Sequence, residues 1–252
     1  MRTIKLTLQY DGSNYAGWQV QENAVTVQGL LTKALAVILR EEVRAPGASR
    51  TDSGVHALCQ VAAFRTDSDI PLDRLQRSLN GILPSDIRVM EIMEAAEGFV
   101  PRFAKKKTYR YAFACGGVLS PFQQGYVWHV HEQLDLDAMQ LAAKSLVGEH
   151  DFSSFVAAGG AEKEPVRTIF SLTFGRGGII DTCADEDGVF HFDFAANGFL
   201  YKMVRNIMGT LVEIGRGKLS STDMAAILQA KDRKVAGPTA PAHGLCLLSI
   251  EY

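Results

Sequence analysis

The chain has 252 residues, is 47% hydrophobic and 21% charged, and carries a formal net charge of −2. That is enough apolar material for a sizeable core without a metal or disulfide staple, in one large domain or two small ones. No apolar run reaches the ~18 residues that a membrane span needs, and Cys59, Cys115, Cys183 and Cys246 stand too far apart for a zinc knuckle or a disulfide framework.

Residues 3–10 alternate, with Ile4, Leu6, Leu8 and Tyr10 on one face, which predicts a half-buried strand. Asp11-Gly12 supplies a turn. Thr26 is placed to cap a helix whose stripe is Val27, Leu30, Leu31, Ala34, Leu35 and Ile38. Pro46-Gly47 turns the chain into Arg50-Thr51-Asp52-Ser53-Gly54, which precedes an apolar strand over 55–64. A short helix is expected over 71–83 and a strand over 87–92, and the first half closes near Arg102.

The second half repeats the mixture. Strands are expected over 108–114, 168–174, 189–194 and 245–252, with Phe190, Phe192 and Phe194 sharing a face. Helices are expected over 136–147, stopped by Gly148, over 198–215, and from Ser221 onward. The stretch 156–164 reads as a mobile loop. No regular strand–helix alternation of the parallel type is present, so the fold class is α+β with mainly antiparallel sheets. No leader pattern opens the chain, and a reducing, cytoplasmic setting is expected.

The chemistry-bearing candidates are few. Asp52 follows a turn and precedes a strand, and Arg50 stands two residues before it. Such a pair would keep the carboxylate ionised and oriented, as attack or electrostatic stabilisation at a sugar carbon requires. The same residues also read as an Asx turn whose Asp serves only backbone N–H groups. Asp52-Ser53-Gly54 evokes an aspartic protease, but Arg50-Thr51 stand where that loop follows a buried apolar strand. His56 reads as a general base or as a loop histidine satisfied by a backbone carbonyl. His129 and His131 share a strand face but lack a third ligand, so no metal is expected. No phosphate-binding glycine loop is present, so no nucleotide or flavin cofactor is expected.

A net charge of −2 does not favour a nucleic-acid partner, so any phosphate-binding charge must be local. Two places qualify: Arg102 with Lys105, Lys106, Lys107 and Arg110, and Lys202 and Arg205 with Arg216 and Lys218. Asp181, Asp185, Glu186 and Asp187 gather elsewhere. The lysine run is also readable as a solvated strand start.

Taken together, these segments resemble the tRNA pseudouridine synthase A family over essentially the whole chain. The resemblance rests on Tyr10-Asp11-Gly12, Tyr15, Gly17-Trp18-Gln19 and Gln21, and on Arg50-Thr51-Asp52-Ser53-Gly54-Val55-His56. It continues through Lys107-Thr108-Tyr109-Arg110-Tyr111, His150-Asp151-Phe152-Ser153-Ser154-Phe155 and Arg167-Thr168. It closes with Phe199-Leu200, Met203-Val204-Arg205-Asn206-Ile207, Gly209 and Ala240-Pro241. Ser49 and Ser53 stand where the family often has Gly and Ala, small residues that leave the loop able to close.

The resemblance implies the pseudouridine synthase fold, two ferredoxin-like α+β halves (1–104 and 105–252) joined around a central cleft. It implies isomerisation of uridine at positions 38–40 of the tRNA anticodon stem-loop, without cofactor, by a homodimer whose basic clefts cradle the tRNA. Asp52 would be the catalytic nucleophile. Tyr109, Arg50 and Arg205 would bind the substrate nucleotide, and Lys105, Lys106, Lys107 and Arg110 the RNA backbone. A non-catalytic RNA-binding module is the competing expectation.

Overall fold

A computed structural model describes residues 1–159, 164–180 and 188–252. In chain order the elements are β1 (Arg2–Tyr10), α1 (Val27–Leu39), β2 (His56–Thr66), α2 (Leu72–Ile82), β3 (Ile87–Ala95), β4 (Lys106–Cys115), β5 (Trp128–Val130), α3 (Leu136–Ala143), β6 (Gly148–Asp151), β7 (Val166–Arg176), β8 (Val189–Ala196), α4 (Met203–Gly215), α5 (Asp223–Ala230) and β9 (Leu245–Glu251). The fold is α+β. The pairs β1–β2, β1–β3, β4–β8, β7–β8 and β6–β7 are antiparallel, while β5 runs parallel to β4. Two compact units form, Met1–Lys105 with Leu247–Tyr252 and Lys106–Cys246. The end of the chain thus belongs to the first unit.

In the first unit the strand order is β3-β1-β2-β9. The alternation of β1 does what its sequence demands, since Ile4, Leu6 and Leu8 are fully buried. Thr26 caps α1 by accepting the Gly29 N–H at 3.3 Å, and α1 buries Val27, Leu31, Ala34 and Leu35. Its last turn closes on Arg40 in the left-handed region (φ 59°). The shorter α2 contributes Leu75 and Leu79 to the core and leaves a polar outer face.

The second unit orders β4-β8-β7-β6. Register places Tyr109, Tyr111 and Phe113 opposite Phe194, Phe192 and Phe190. The result is an aromatic ladder. Phe113 stacks on Phe192 at 6.1 Å between centroids, and Phe174 lies 5.6 Å from Phe190 and 5.2 Å from Phe192. Helix α4 is buried along most of its length, as its near-continuous apolar sequence requires.

Two local expectations are corrected. The helix expected over 136–147 ends at Ala143, because a 3₁₀ turn (Lys144–Leu146) leads to Gly148, whose φ of 114° is incompatible with helix and opens β6. The helix expected over 198–215 starts only at Met203, because Lys202 is left-handed (φ 58°). The two shortest strands, β5 and β6, carry too few residues for an alternating signal. Residues 160–163 of the loop expected at 156–164, Cys183, and the acidic Asp181, Asp185, Glu186 and Asp187 lie outside the described residues. Among the described residues no helix is long and apolar enough to cross a membrane.

Phe192 is 1% exposed at the centre of the ladder. Phe192→Ala is expected to destabilise the protein by about 3–5 kcal/mol, and Phe192→Leu by distinctly less. Urea denaturation followed by circular dichroism checks both.

Candidate active site

Asp52 sits in a loop gripped by another loop of the first unit. Trp18 N–H donates to the Thr51 carbonyl at 3.1 Å, Gly54 N–H donates to the Tyr15 carbonyl at 3.3 Å, and Ser53 Oγ donates to that same carbonyl at 3.2 Å. The two backbones touch. A Cβ on Gly12 would fall 2.0 Å from the Val55 carbonyl oxygen, and one on Gly17 would fall 2.5 Å from that of Thr51. Gly17 also has φ 92°, so glycine is required there twice over, and Gly54 has φ 78°. The segment Tyr10-Asp11-Gly12-Ser13-Asn14-Tyr15-Ala16-Gly17-Trp18 is thus the cradle of the loop that carries the carboxylate.

Side chains complete the grip. Tyr10 Oη lies 2.8 Å from Thr51 Oγ1. Gln60 is fully buried on β2: its Nε2 donates to the Ser49 carbonyl at 2.7 Å, and its Oε1 accepts the Ser49 N–H at 3.3 Å. Tyr15 donates its hydroxyl to Asp86, and burial, with Asp86 adding to it, pushes that phenol above its ordinary range. Within the loop Asp52 is half-buried and Arg50 exposed.

His56 is 2% exposed, and its Nδ1 lies 3.1 Å from the Gly12 nitrogen. A backbone N–H can only donate, so Nδ1 accepts and the ring proton belongs on Nε2. The Asp11 carboxylate, also 3.1 Å from Nδ1, therefore receives no proton from it. It is occupied instead by the Ser13 N–H at 2.9 Å and the Ser13 hydroxyl at 2.6 Å. His56 opens β2, and on its Nδ1 side the ring is held by a backbone N–H.

In the second unit Tyr109 is 5% exposed and meets Phe199 edge to face at 5.1 Å. Arg205, in the first turn of α4, donates Nε–H to the Ala240 carbonyl at 2.8 Å, and its own carbonyl accepts the Ala240 N–H at 3.0 Å. The strap 237–241 lies hard against the helix. A Cβ on Gly209 would fall 1.6 Å from the Pro238 oxygen, and Gly237 N–H donates to Thr210 Oγ1 at 2.9 Å. Tyr111 ties in the next residue, its hydroxyl donating to the Pro241 carbonyl at 2.8 Å, and burial holds that phenol well above its ordinary range. His243 is shifted the other way, downward, by burial first and by the charge of Arg205 as a lesser cause.

The fully buried Asn206 closes this assembly. Its Nδ2 donates to the Phe155 carbonyl at 2.7 Å, and its Oδ1 accepts from Thr239 at 2.6 Å and Arg233 at 3.1 Å. Neither Asn206 nor Gln60 was assigned a role from sequence. Each carried a signal, a lone amide within an apolar helix or strand, because a buried amide must find partners.

The basic residues around Tyr109 divide. Strand alternation puts Lys107 on the face of Tyr109, and Lys106 and Arg110 on the other. Arg110 makes a two-pronged ion pair with Asp193 at 2.8 and 2.9 Å and also donates to the Gly178 carbonyl. Lys107 is lowered from its ordinary range by burial and then by the charge of Arg167. Lys105 is exposed. In the other basic segment Arg216 pairs with Glu213 at 2.7 Å and Glu132 at 3.1 Å, and Lys218 with Glu213 at 3.0 Å. The rings of His129 and His131 lie 4.5 Å apart, and among the described residues no cluster of three metal-ligating side chains includes them.

Gln60→Leu keeps the size but leaves the Ser49 N–H and carbonyl without that partner. A loss of about 1–3 kcal/mol is expected in urea denaturation. Faster amide exchange should be confined to residues 49–55 and their cradle. Unchanged stability and exchange would mean that Gln60 does not hold the loop.

A family model described as tRNA pseudouridine synthase matches residues 7–103 and 142–252. The tRNA pseudouridine synthase A of Thermoanaerobacter sp. (strain X514) is 44% identical, that of Pelobacter propionicus 46% and that of Moorella thermoacetica 48%, each alignment covering 100% of both chains. A chain from a solved H/ACA RNP bound to a substrate RNA containing 2′-deoxyuridine superposes with a TM-score of 0.38 at 10% identity, over 97% of this chain and 47% of that one. Identity of this order from end to end, in a chain that builds so much of its first unit around the Asp52 loop, makes it a member of the tRNA pseudouridine synthase A family.

Proposed function

We propose that this enzyme isomerises uridine to pseudouridine at positions 38–40 in the anticodon stem-loop of tRNA, with Asp52 as the catalytic carboxylate. The C1′–N1 bond breaks, the uracil turns, and C5 bonds to C1′. The proton leaving C5 is balanced by the one gained at N1, so the conversion is redox-neutral and needs no co-reactant. Asp52 either attacks C1′ as nucleophile, the ester so formed breaking again as C5 bonds to C1′, or first removes the C2′ proton and later returns it. Tyr109 stacks on the uracil, and Arg205 is the cationic partner of the reacting groups. Exposed Arg50 engages the RNA backbone as the target nucleotide leaves its stack, at a cost of a few kcal/mol.

The observation that carries this reading is the held loop. A carboxylate that must meet one sugar carbon gains most when its backbone is fixed beforehand, and the Asp52 loop is fixed by two bare glycines, Trp18, Tyr10 and Gln60. A range of neighbouring target positions fits recognition of RNA shape rather than base sequence. In the same reading the enzyme works in the cytoplasm as a homodimer. A non-catalytic RNA-binding module would have no need of so constrained a carboxylate.

Asp52→Asn is expected to abolish pseudouridine formation on unmodified tRNA while binding persists, as mapped by carbodiimide-blocked reverse transcription. Turnover by a deamidation-free Asn variant would remove Asp52 from the mechanism. Activity is expected to survive exhaustive chelation. Loss that one metal restores, and that salts which merely refold tRNA do not, would contradict the cofactor-free chemistry.

Charge is the other test. Lys105/Lys106→Ala should weaken tRNA binding and lower the slope of log affinity against log salt by roughly one unit per lost phosphate contact. Parental affinity and slope in the double variant would assign both lysines to a solvated strand start.

A further inference from the structure

Phe103 is a large apolar side chain that the fold leaves in water, 68% exposed. It closes the 3₁₀ turn Pro101–Phe103, and that turn is anchored. Phe103 N–H donates to the Val100 carbonyl at 3.1 Å, and the Tyr252 hydroxyl donates to the Pro101 carbonyl at 2.9 Å. Tyr252 in turn packs on Phe99 at 4.8 Å, and Lys5 Nζ lies over both rings, at 5.3 and 5.8 Å. Two residues on, Lys105 N–H donates to the Glu251 carbonyl at 2.7 Å. The exposed ring therefore stands on a fixed base rather than on a loose loop.

Its neighbours are cationic. The Arg102 guanidinium lies 4.9 Å from the centroid of the Phe103 ring, and both Arg102 and Lys105 are exposed. Single exposed apolar residues are ordinary. An exposed ring carrying a guanidinium, with an ammonium two residues further on, combines a π-face for a nucleobase with charge for the phosphates beside it. An apolar protein partner would be met by two cations that it would have to desolvate. A polyanion with unstacked bases is met by both features.

We propose that Phe103 and Arg102 form a second stacking site, which takes one unpaired nucleobase of the tRNA other than the target uridine, with Lys105 on the adjoining phosphate. The assignment rests on tRNA being the substrate, but it uses neither Asp52 nor any group assigned to the chemistry. Its site lies on one turn of the first unit. It adds a base contact that is indifferent to base identity, as an enzyme acting on several neighbouring positions requires.

The test uses the whole protein and unmodified tRNA. Phe103→Ala and Phe103→Leu should each weaken binding by roughly 5- to 100-fold, the range of one lost base–aromatic stack, with no shift in urea midpoint. Phe103→Trp should restore parental affinity, and its emission should be quenched by tRNA beyond the change seen in the parent, which carries Trp18 and Trp128. Parental affinity in the Ala and Leu variants, or an unquenched indole, overturns the proposal. So does a Phe103→Ala variant that changes the sedimentation of the free protein but not its tRNA affinity, which would make the surface a protein contact. Pseudouridine formation is scored on the same tRNA with the parent protein. Quenching without turnover upholds the stacking site and removes the proposed activity, whereas turnover without quenching does the reverse.

Discussion

Two stretches of backbone in the first unit approach so closely that no side chain fits between them. Gly12 and Gly17 lie on one, and the carbonyls of Val55 and Thr51 on the other. Much of the unit follows from that contact. The chain after β1 must fold back as the segment 10–18. Trp18 must come to rest beside Gly47, where a Cβ would fall 2.5 Å from the indole. The polar atoms buried with it need partners, and Tyr10, Thr51, Gln60 and Ser49 provide them for one another. A buried hydrogen bond contributes only about 0.5–1.5 kcal/mol net, yet an orphaned buried group costs about 1–3 kcal/mol. The network therefore works chiefly by making displaced positions of the loop expensive.

The second unit uses the same device. Gly209 meets Pro238, and Gly237 meets the backbone of Thr210, while Gly244 lies against the Ala112 carbonyl. Around these bare contacts Asn206 ties helix α4 to Phe155, Thr239 and Arg233. Arg205 is the neighbour of Asn206 on that helix, and its guanidinium is anchored through Ala240. Long cationic side chains lose much rotamer freedom when ordered. A carbonyl that is itself fixed lowers that loss at the moment of binding. In the proposed reaction, which asks for placement more than for a strong acid or base, this is where binding energy would be conserved.

The legibility of the sequence follows the same lines. Alternation exposed β1, and the Phe190, Phe192 and Phe194 pattern exposed β8, because each strand has one face that must be dry. Thr26 announced α1 because a hydroxyl at an N-cap has a single geometric use. Asp52 was legible as a carboxylate between a turn and a strand, and its cradle as a string of motif residues whose purpose emerges only from contacts. Position-specific backbone was not legible. Lys202 in the left-handed region and the 3₁₀ turn Lys144–Leu146 shorten helices whose composition argued for continuity. Strands of three and four residues lie below the length at which a period of two can be seen. Gln60 and Asn206 were visible as polar intrusions, but their partners are far along the chain, and no local pattern names them.

Charge shows why counting residues in a window misleads. The basic segments at 102–110 and 202–218 look alike in sequence, and the fold treats them differently. Arg110 is committed to Asp193, a residue 83 positions away. Arg216 and Lys218 converge on Glu213, and Arg216 reaches Glu132 as well. These pairs are partly buried or screened locally, so they present little field to a distant phosphate. Arg50, Arg102 and Lys105 are instead exposed, and all three belong to the first unit, two of them flanking an exposed aromatic ring. A net charge of −2 is a sum over the chain, whereas a polyanion responds to the potential where it lands, within about 8–10 Å of screened solution. An acidic total is therefore compatible with an RNA-binding surface, provided that exposed cations are concentrated on a few turns and the excess carboxylates lie away from them.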